Sequence, residues 1–165
     1  MGGIGSWALF LLLFVLPYTI VANLIAAWKK SPAWRASGRN GMLAAFFLTT
    51  VASLSLFTLL LTDNFAYRYV VQYSSSHMPL VYKIAAFWGG NAGSLLLWAW
   101  ILSLYGSLAS FLKHKDSRLM QPYVTAVMSA LVFFFAILLN FVSSPFALME
   151  TAVREGNSLN PMLQN

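Results

Sequence analysis

Hydrophobic positions along the chain fall into four long runs without a charged residue: Met1–Trp28, Asn40–Thr62, Ile84–Leu112 and Leu119–Met149. A hydrocarbon core of ~30 Å takes about 20 apolar residues as helix, and each run exceeds that length. Helix is also the economical span, because it satisfies every backbone polar group within the segment. The pattern predicts an all-α integral membrane protein with about four spans, over residues 4–28, 41–61, 88–112 and 121–142. Pro17 lies near the middle of the first span, where it removes a backbone donor and predicts a kink. Trp7 and Trp28 fall near the ends of that span, where indoles favour the interface.

The polar segment 62–87 has a different rhythm. Phe65, Tyr67, Tyr69, Val71 and Tyr73 alternate with Ala66, Arg68, Val70 and Gln72. A period of two rich in aromatics predicts a short β-strand. Ser74, Ser75 and Ser76 predict a turn, and Pro79 opens a second extended piece. The segment reads as a small structured loop capping the membrane, with an interfacial aromatic belt as the plainer alternative.

Composition excludes a soluble domain: 59% of residues are hydrophobic and 8% charged, against about 25% charged in soluble proteins. The net charge of +6 is unevenly placed. Lys29, Lys30, Arg35 and Arg39 lie in the linker 29–40, and Lys113, Lys115 and Arg118 in the linker 113–120. Only Arg68, Lys83 and Arg154 lie elsewhere. The positive-inside rule places those two linkers in the cytoplasm. The N-terminus, the loop 62–87 and the tail 143–165 are then outside. Topology accounts for the basic excess, so no nucleic-acid partner is expected. There is no cysteine, hence no disulfide. The first run has no basic residue ahead of it, which reads as a retained helix rather than a cleaved signal.

Candidate chemistry is sparse. His114 sits in a charged linker and reads as solvated. His77, beside Met78 and Pro79, is a candidate axial haem or metal ligand. The acids Asp63, Asp116, Glu150 and Glu155 all fall in loops, so no ionisable group marks a transport path within a span. Asn23 and Asn140 are the notable intramembrane polar residues and read as contacts between helices. Gly89 and Gly93, like Gly90 and Ser94, are four apart, a spacing that admits a second backbone. The tandem glycines Gly89 and Gly90 also permit a tight bend. No catalytic group is evident. A small multi-pass transporter subunit and an assembly scaffold are the alternatives these residues leave open.

The unbroken stretch Pro79–Trp98 resembles the CcmF family, the haem lyase component of cytochrome c-type biogenesis, and its nitrite-reductase relatives in the wider cytochrome c assembly family. The family's L-P-x-x-Y-K/R and W-G-x-x-x-G-S-L-L-L-W elements are met at Pro79, Tyr82, Lys83, Trp88, Gly89, Gly93, Ser94 and Trp98. Asp63-Asn64-Phe65 with Tyr69-Val70 resembles the family's short outer strand. Ser143-Ser144-Pro145-Phe146 and Leu159–Gln164 resemble its N-P-F and L-N-P-L-L-Q elements. Asn91-Ala92 departs from the family's Gln-Glu and lacks its acid.

The resemblance implies the N-terminal segment of a longer haem lyase in a bacterial inner membrane, or an organellar one. It implies haem, with ligands outside this segment, because the family's haem-binding histidines and tryptophan-rich segment come later. It implies apocytochrome c, a haem chaperone, other maturation subunits and the remainder of the CcmF chain as partners. In that chemistry the haem vinyl groups meet the reduced thiols of Cys-x-x-Cys-His on the outer face, and two thioether bonds form. Trp88, Gly89, Gly90, Gly93, Ser94 and Trp98 would support the haem region, helix packing alone being the plainer role.

Overall fold

The computed structural model describes residues 2–111, 120–149 and 156. Its elements are α1 (Gly2–Lys29), α2 (Pro32–Leu61), α3 (Arg68–Tyr73), α4 (Leu80–Gly89), α5 (Asn91–Phe111) and α6 (Gln121–Ile137), the last running into a π-helical turn over Leu138–Val142. Four of these helices are long and apolar enough to cross a membrane: α1, α2, α5, and α6 with its turn. They pack as a closed ring in the order α1, α2, α5, α6.

Why these helices pack in lipid follows from residue size. Apolar residues cover both faces, so burial from water cannot choose the inner one. Large side chains such as Phe14, Trp28, Phe47, Trp98 and Phe134 point outward, whereas Ala22, Ala45, Ala52, Ala99 and Ala136 are buried among Leu12, Leu16, Leu56 and Leu96. Small residues let backbones approach, which drives helix association where the solvent is itself apolar. Gly38 and Gly41 of α2 show this at the crossing with α1: a Cβ there would fall 2.5 Å from the Asn23 amide and 2.2 Å from Thr19 Oγ1.

A few polar groups fix the register of the helices. Thr49 and Ser103 hydroxyls meet at 2.8 Å between α2 and α5. Trp100 Nε1 donates to Thr50 Oγ1 at 2.9 Å. Ser107 Oγ donates to the Met42 carbonyl at 3.2 Å. Asn140 donates to the Leu9 carbonyl at 3.0 Å and so joins the π-helical turn to α1, the role expected of it. Asn23 donates within its own helix, to the Thr19 carbonyl, and meets α2 by packing on Gly38.

The boundaries depart from the sequence pattern in three places. First, α2 begins at Pro32, not at residue 41. Proline suits the first turn of a helix, where its missing N–H costs nothing, and Lys30 with φ 49° ends α1 just before it. Arg35 and Arg39 of the basic stretch thus lie in the first turns of a 30-residue helix, about 45 Å long. Second, the strand expected over 65–73 is a helix from Arg68 to Tyr73. Among the described residues only Tyr67 bridges in β fashion, antiparallel to Leu148. Third, the extended piece expected after Pro79 is α4, and Trp88 and Gly89 belong to it, so the third span begins at Asn91. α1 passes through Pro17 as one uninterrupted helix. Residues 113–119, with His114, and the Leu159–Gln164 element lie outside the described residues.

Candidate functional site: the helical cap and the glycine junction

Both ends of the described chain converge on the segment between α2 and α5. A Cβ on Gly2 would strike the Tyr67 ring and one on Gly5 the Phe146 ring, so the start of α1 lies under both aromatics. The Arg68 N–H donates to the Ala147 carbonyl and the Met149 N–H to the Ala66 carbonyl, each at 2.9 Å. The stretch 143–149, α3 and α4 therefore form one cap at one end of the bundle. Lys29, Lys30, Arg35 and Arg39 lie at the other end, where the Arg39 guanidinium stands 5.3 Å over the Phe111 ring.

The cap hangs on the C-terminus of α2. The Asn64 N–H donates to the Leu59 carbonyl at 3.1 Å, and Asp63 between them has φ 48°. Glycine usually takes this left-handed closing position, and asparagine or aspartate can. Aspartate adds a carboxylate there, and the fold uses both of its oxygens. Asp63 Oδ2 receives the Lys83 ammonium of α4, and Oδ1 accepts from Ser74 Oγ at 3.2 Å. The side chains of Lys83 and Asp63 are only 10% and 24% exposed, so water does little to screen the pair. One residue thus ends a membrane helix, holds the turn after α3 and anchors α4.

Tyr69 holds the other side. Its ring packs against Tyr73, one helical turn away, with centroids 4.7 Å apart and planes tilted by 41°. Its hydroxyl donates toward the carbonyls of Ala86 at 2.9 Å and Phe87 at 3.2 Å and accepts the Gly90 N–H at 3.2 Å. Burial pushes the phenol well above the usual tyrosine pKa, so it stays a neutral donor. Gly90 separates α4 from α5. A Cβ on Gly93 would lie 1.9 Å from the Phe87 carbonyl oxygen and 2.2 Å from Tyr69 Oη, and one on Gly90 would meet the Tyr73 ring at 2.4 Å. Ser94 closes the bend, its N–H donating to the Gly90 carbonyl at 2.9 Å and its Oγ to the Trp88 carbonyl at 2.7 Å.

The motif residues thus divide. Gly90, Gly93 and Ser94 build the junction, and Trp88 enters it through its carbonyl. The Trp88 and Trp98 side chains are exposed, and Gly89 is the last residue of α4. His77 is exposed on the turn between α3 and α4. Among the described residues no group of three or more His, Asp or Glu is placed to hold a metal. Sequence reasoning missed Tyr69, Asp63 and Lys83 as partners. The available signal was an acid, Asp63, in the same loop as Lys83, a cation outside the basic linkers.

Beside the junction lies a polar basin of about 430 Å³, lined by Arg68 and Gln72 of α3, Asn91 of α5, and Phe141, Val142 and Ser143 at the end of the π-helical turn, among others.

The architecture is that of a multi-pass membrane protein, a four-helix bundle closed at one end by a short helical cap. No protein-family profile matches the chain. Individual proteins do. It is 32% identical over 161 residues to the cytochrome c-type biogenesis protein ccl1 of Rhodobacter capsulatus, covering 98% of this chain and 25% of that protein. It is 33% identical over 163 residues to CcmF of Pseudomonas aeruginosa, with 98% and 25% covered. With NrfE of Haemophilus influenzae it shares 36% over 121 residues, or 73% of this chain and 19% of that one. A solved structure titled cytochrome c heme lyase CcmF superposes with a TM-score of 0.82 at 25% identity, over 92% of this chain and 25% of that chain. The chain is a relative of the CcmF and NrfE proteins of cytochrome c-type biogenesis, and it spans about a quarter of the length of the relatives it matches.

Proposed function

We propose that this chain is the N-terminal membrane segment of a cytochrome c haem lyase in a bacterial inner membrane, with its cap on the outer face. In this reading its role is to present a rigid platform beside the place where haem meets apocytochrome c. The coupling itself adds each cysteine S–H of Cys-x-x-Cys-His across a haem vinyl group, giving two thioethers without an outside oxidant. No residue described here is needed as acid or base for that step. The haem ligands belong to the remainder of the lyase, and a haem chaperone and other maturation subunits complete the assembly. His77, exposed on the cap, is then a residue that arriving haem can touch.

The observation that carries the reading is the junction built from Gly90, Gly93 and Ser94, set in a chain whose sequence matches cytochrome c biogenesis proteins over 98% of its length. The charge asymmetry supports the orientation, since the basic end belongs in the cytoplasm.

Two experiments test it. Loss of the chain in its host should abolish covalently haem-stained c-type cytochromes, and His77→Ala should lower them. Unchanged cytochromes after deletion would end the haem lyase reading, and unchanged cytochromes in H77A would end the role of that histidine. For orientation, cysteine at His77 should react with an impermeant maleimide from outside the cell, and cysteine at Lys29 only after the membrane is opened. The reverse pattern inverts the assignment.

A further inference from the structure

The cap end carries two cations among the described residues, and they are treated differently. Lys83 is neutralised by Asp63, the one acid among the described residues. Arg68 is exposed, and within the described residues its guanidinium has no ion pair or hydrogen bond, although its N–H is engaged by Ala147. It lines the 430 Å³ basin together with Gln72, one turn further along α3. The lining also includes two exposed apolar side chains, Phe141 and Val142, exposed by 74% and 73%. Small-molecule pockets span roughly 300–1,000 Å³, so the basin holds a polar head and one edge of an attached apolar body. The first turn of α5, at Asn91 and Ala92, contains no acid and adds the positive end of a helix dipole.

We infer that this basin is an anion subsite in which Arg68 receives the carboxylate of an amphipathic ligand whose apolar body lies against Phe141 and Val142. On the haem lyase reading above, that ligand is haem, seated by a propionate edge. The planar guanidinium suits a carboxylate because it can donate two parallel hydrogen bonds. Gln72 and Asn91 offer further amide donors. The same chemistry suits the headgroup of an anionic phospholipid, and the ester comparison and lipid titration separate the two sources.

The test uses the 165-residue chain in phosphatidylcholine nanodiscs, titrated with mesohaem and with mesohaem dimethyl ester, followed by quenching of tryptophan fluorescence. The diacid should bind about tenfold more tightly than the ester. Arg68→Gln should remove that difference while leaving ester binding unchanged, and Arg68→Lys should keep part of it. Equal affinity for acid and ester, or an undiminished ratio in R68Q, overturns the subsite. Failure of either porphyrin to bind, with phosphatidylglycerol protecting Arg68 from phenylglyoxal, assigns the basin to a lipid headgroup and overturns the haem form. Glu150 lies outside the described residues and is the next acid along the chain after Met149. If Glu150→Gln reproduces the R68Q loss, Arg68 is a structural partner of that acid and the subsite falls. Cytochrome levels on deletion report on the haem lyase reading separately, so it can stand while the subsite fails.

Discussion

The bundle and the cap are held together by opposite means. In the bundle, alanines and glycines bring helices together, and the few hydroxyl contacts, such as Thr49 with Ser103, adjust register. In the cap, α3 and α4 are too short to hold one another by area. Their geometry rests on directed polar contacts: Asp63 with Lys83 and Ser74, and Tyr69 with three backbone groups. The division follows the solvent. Lipid competes for dispersion contacts but not for hydrogen bonds, whereas the interface is wet enough that only partly buried, well-matched polar pairs keep their value. The cap should therefore be sensitive to single atoms and the bundle to volume.

The sharpest way to break that contrast is at Gly93, where the two regimes meet. Gly93→Leu should yield no folded protein, and Gly93→Ala should lose ~3 kcal/mol, at the upper end for overpacking, because the obstructing atom is the Phe87 backbone oxygen. Thermal unfolding in detergent measures it, and a wild-type midpoint for G93A would refute the close approach. Next is Asp63→Asn, which leaves Lys83 partly buried without its counter-charge. About 2–3 kcal/mol should be lost, less than for a fully buried pair because Asp63 keeps some solvent. The double variant D63N/K83M should recover part of it, and strict additivity would mean the pair is not coupled.

Tyr69→Phe comes third, at about 1–3 kcal/mol for the hydrogen bonds lost. It also has a pH signature. Folding raises the Tyr69 pKa through burial, so the folded state favours the protonated phenol. The resulting stability is complete below the ordinary tyrosine value near 10 and is lost as pH rises past it toward the higher folded value. Wild-type cap protection in hydrogen exchange should fall above about pH 10, and Y69F should lack that component. The smallest effect belongs to the bundle. Thr49→Val should cost ~0.6 kcal/mol, since Ser103 keeps its bond to the Trp100 carbonyl. A loss as large as that in Y69F would erase the distinction between the regions.

The spans were legible because run length and charge absence are properties of the chain alone. The helical start at Pro32 was not, since Lys29 to Arg39 read as a polar linker. What decides it is the fit of Gly38 and Gly41 against α1, which no local pattern encodes. The period of two over Phe65–Tyr73 was real but ambiguous. Tyr69 and Tyr73 are also one helical turn apart, and Tyr69, Val70 and Val71 are all buried, which a half-exposed strand does not allow. Gly90 and Gly93 of the Trp88–Trp98 motif do lie at close approaches, though not through a four-residue spacing on one helix, since Gly89 ends α4 and Gly93 belongs to α5. Their partners are the Phe87 carbonyl and the tyrosines of α3, because the chain bends at Gly90 and turns them inward. Asp63 and Lys83 are 20 residues apart, and only the fold brings them together.

The short bridge between Tyr67 and Leu148 has a consequence for the order of events at the ribosome. The partners of Ala66, Tyr67 and Arg68 emerge only after α6 has been made. Until then α3 and α4 can dock on the end of α2 through Asp63 and on α5 through Tyr69, but the strip from Ala66 to Arg68 has nothing to pair with. The strip from Ala66 to Arg68 pairs only with residues that follow α6 in the chain, so the cap cannot close until the fourth long helix has been made.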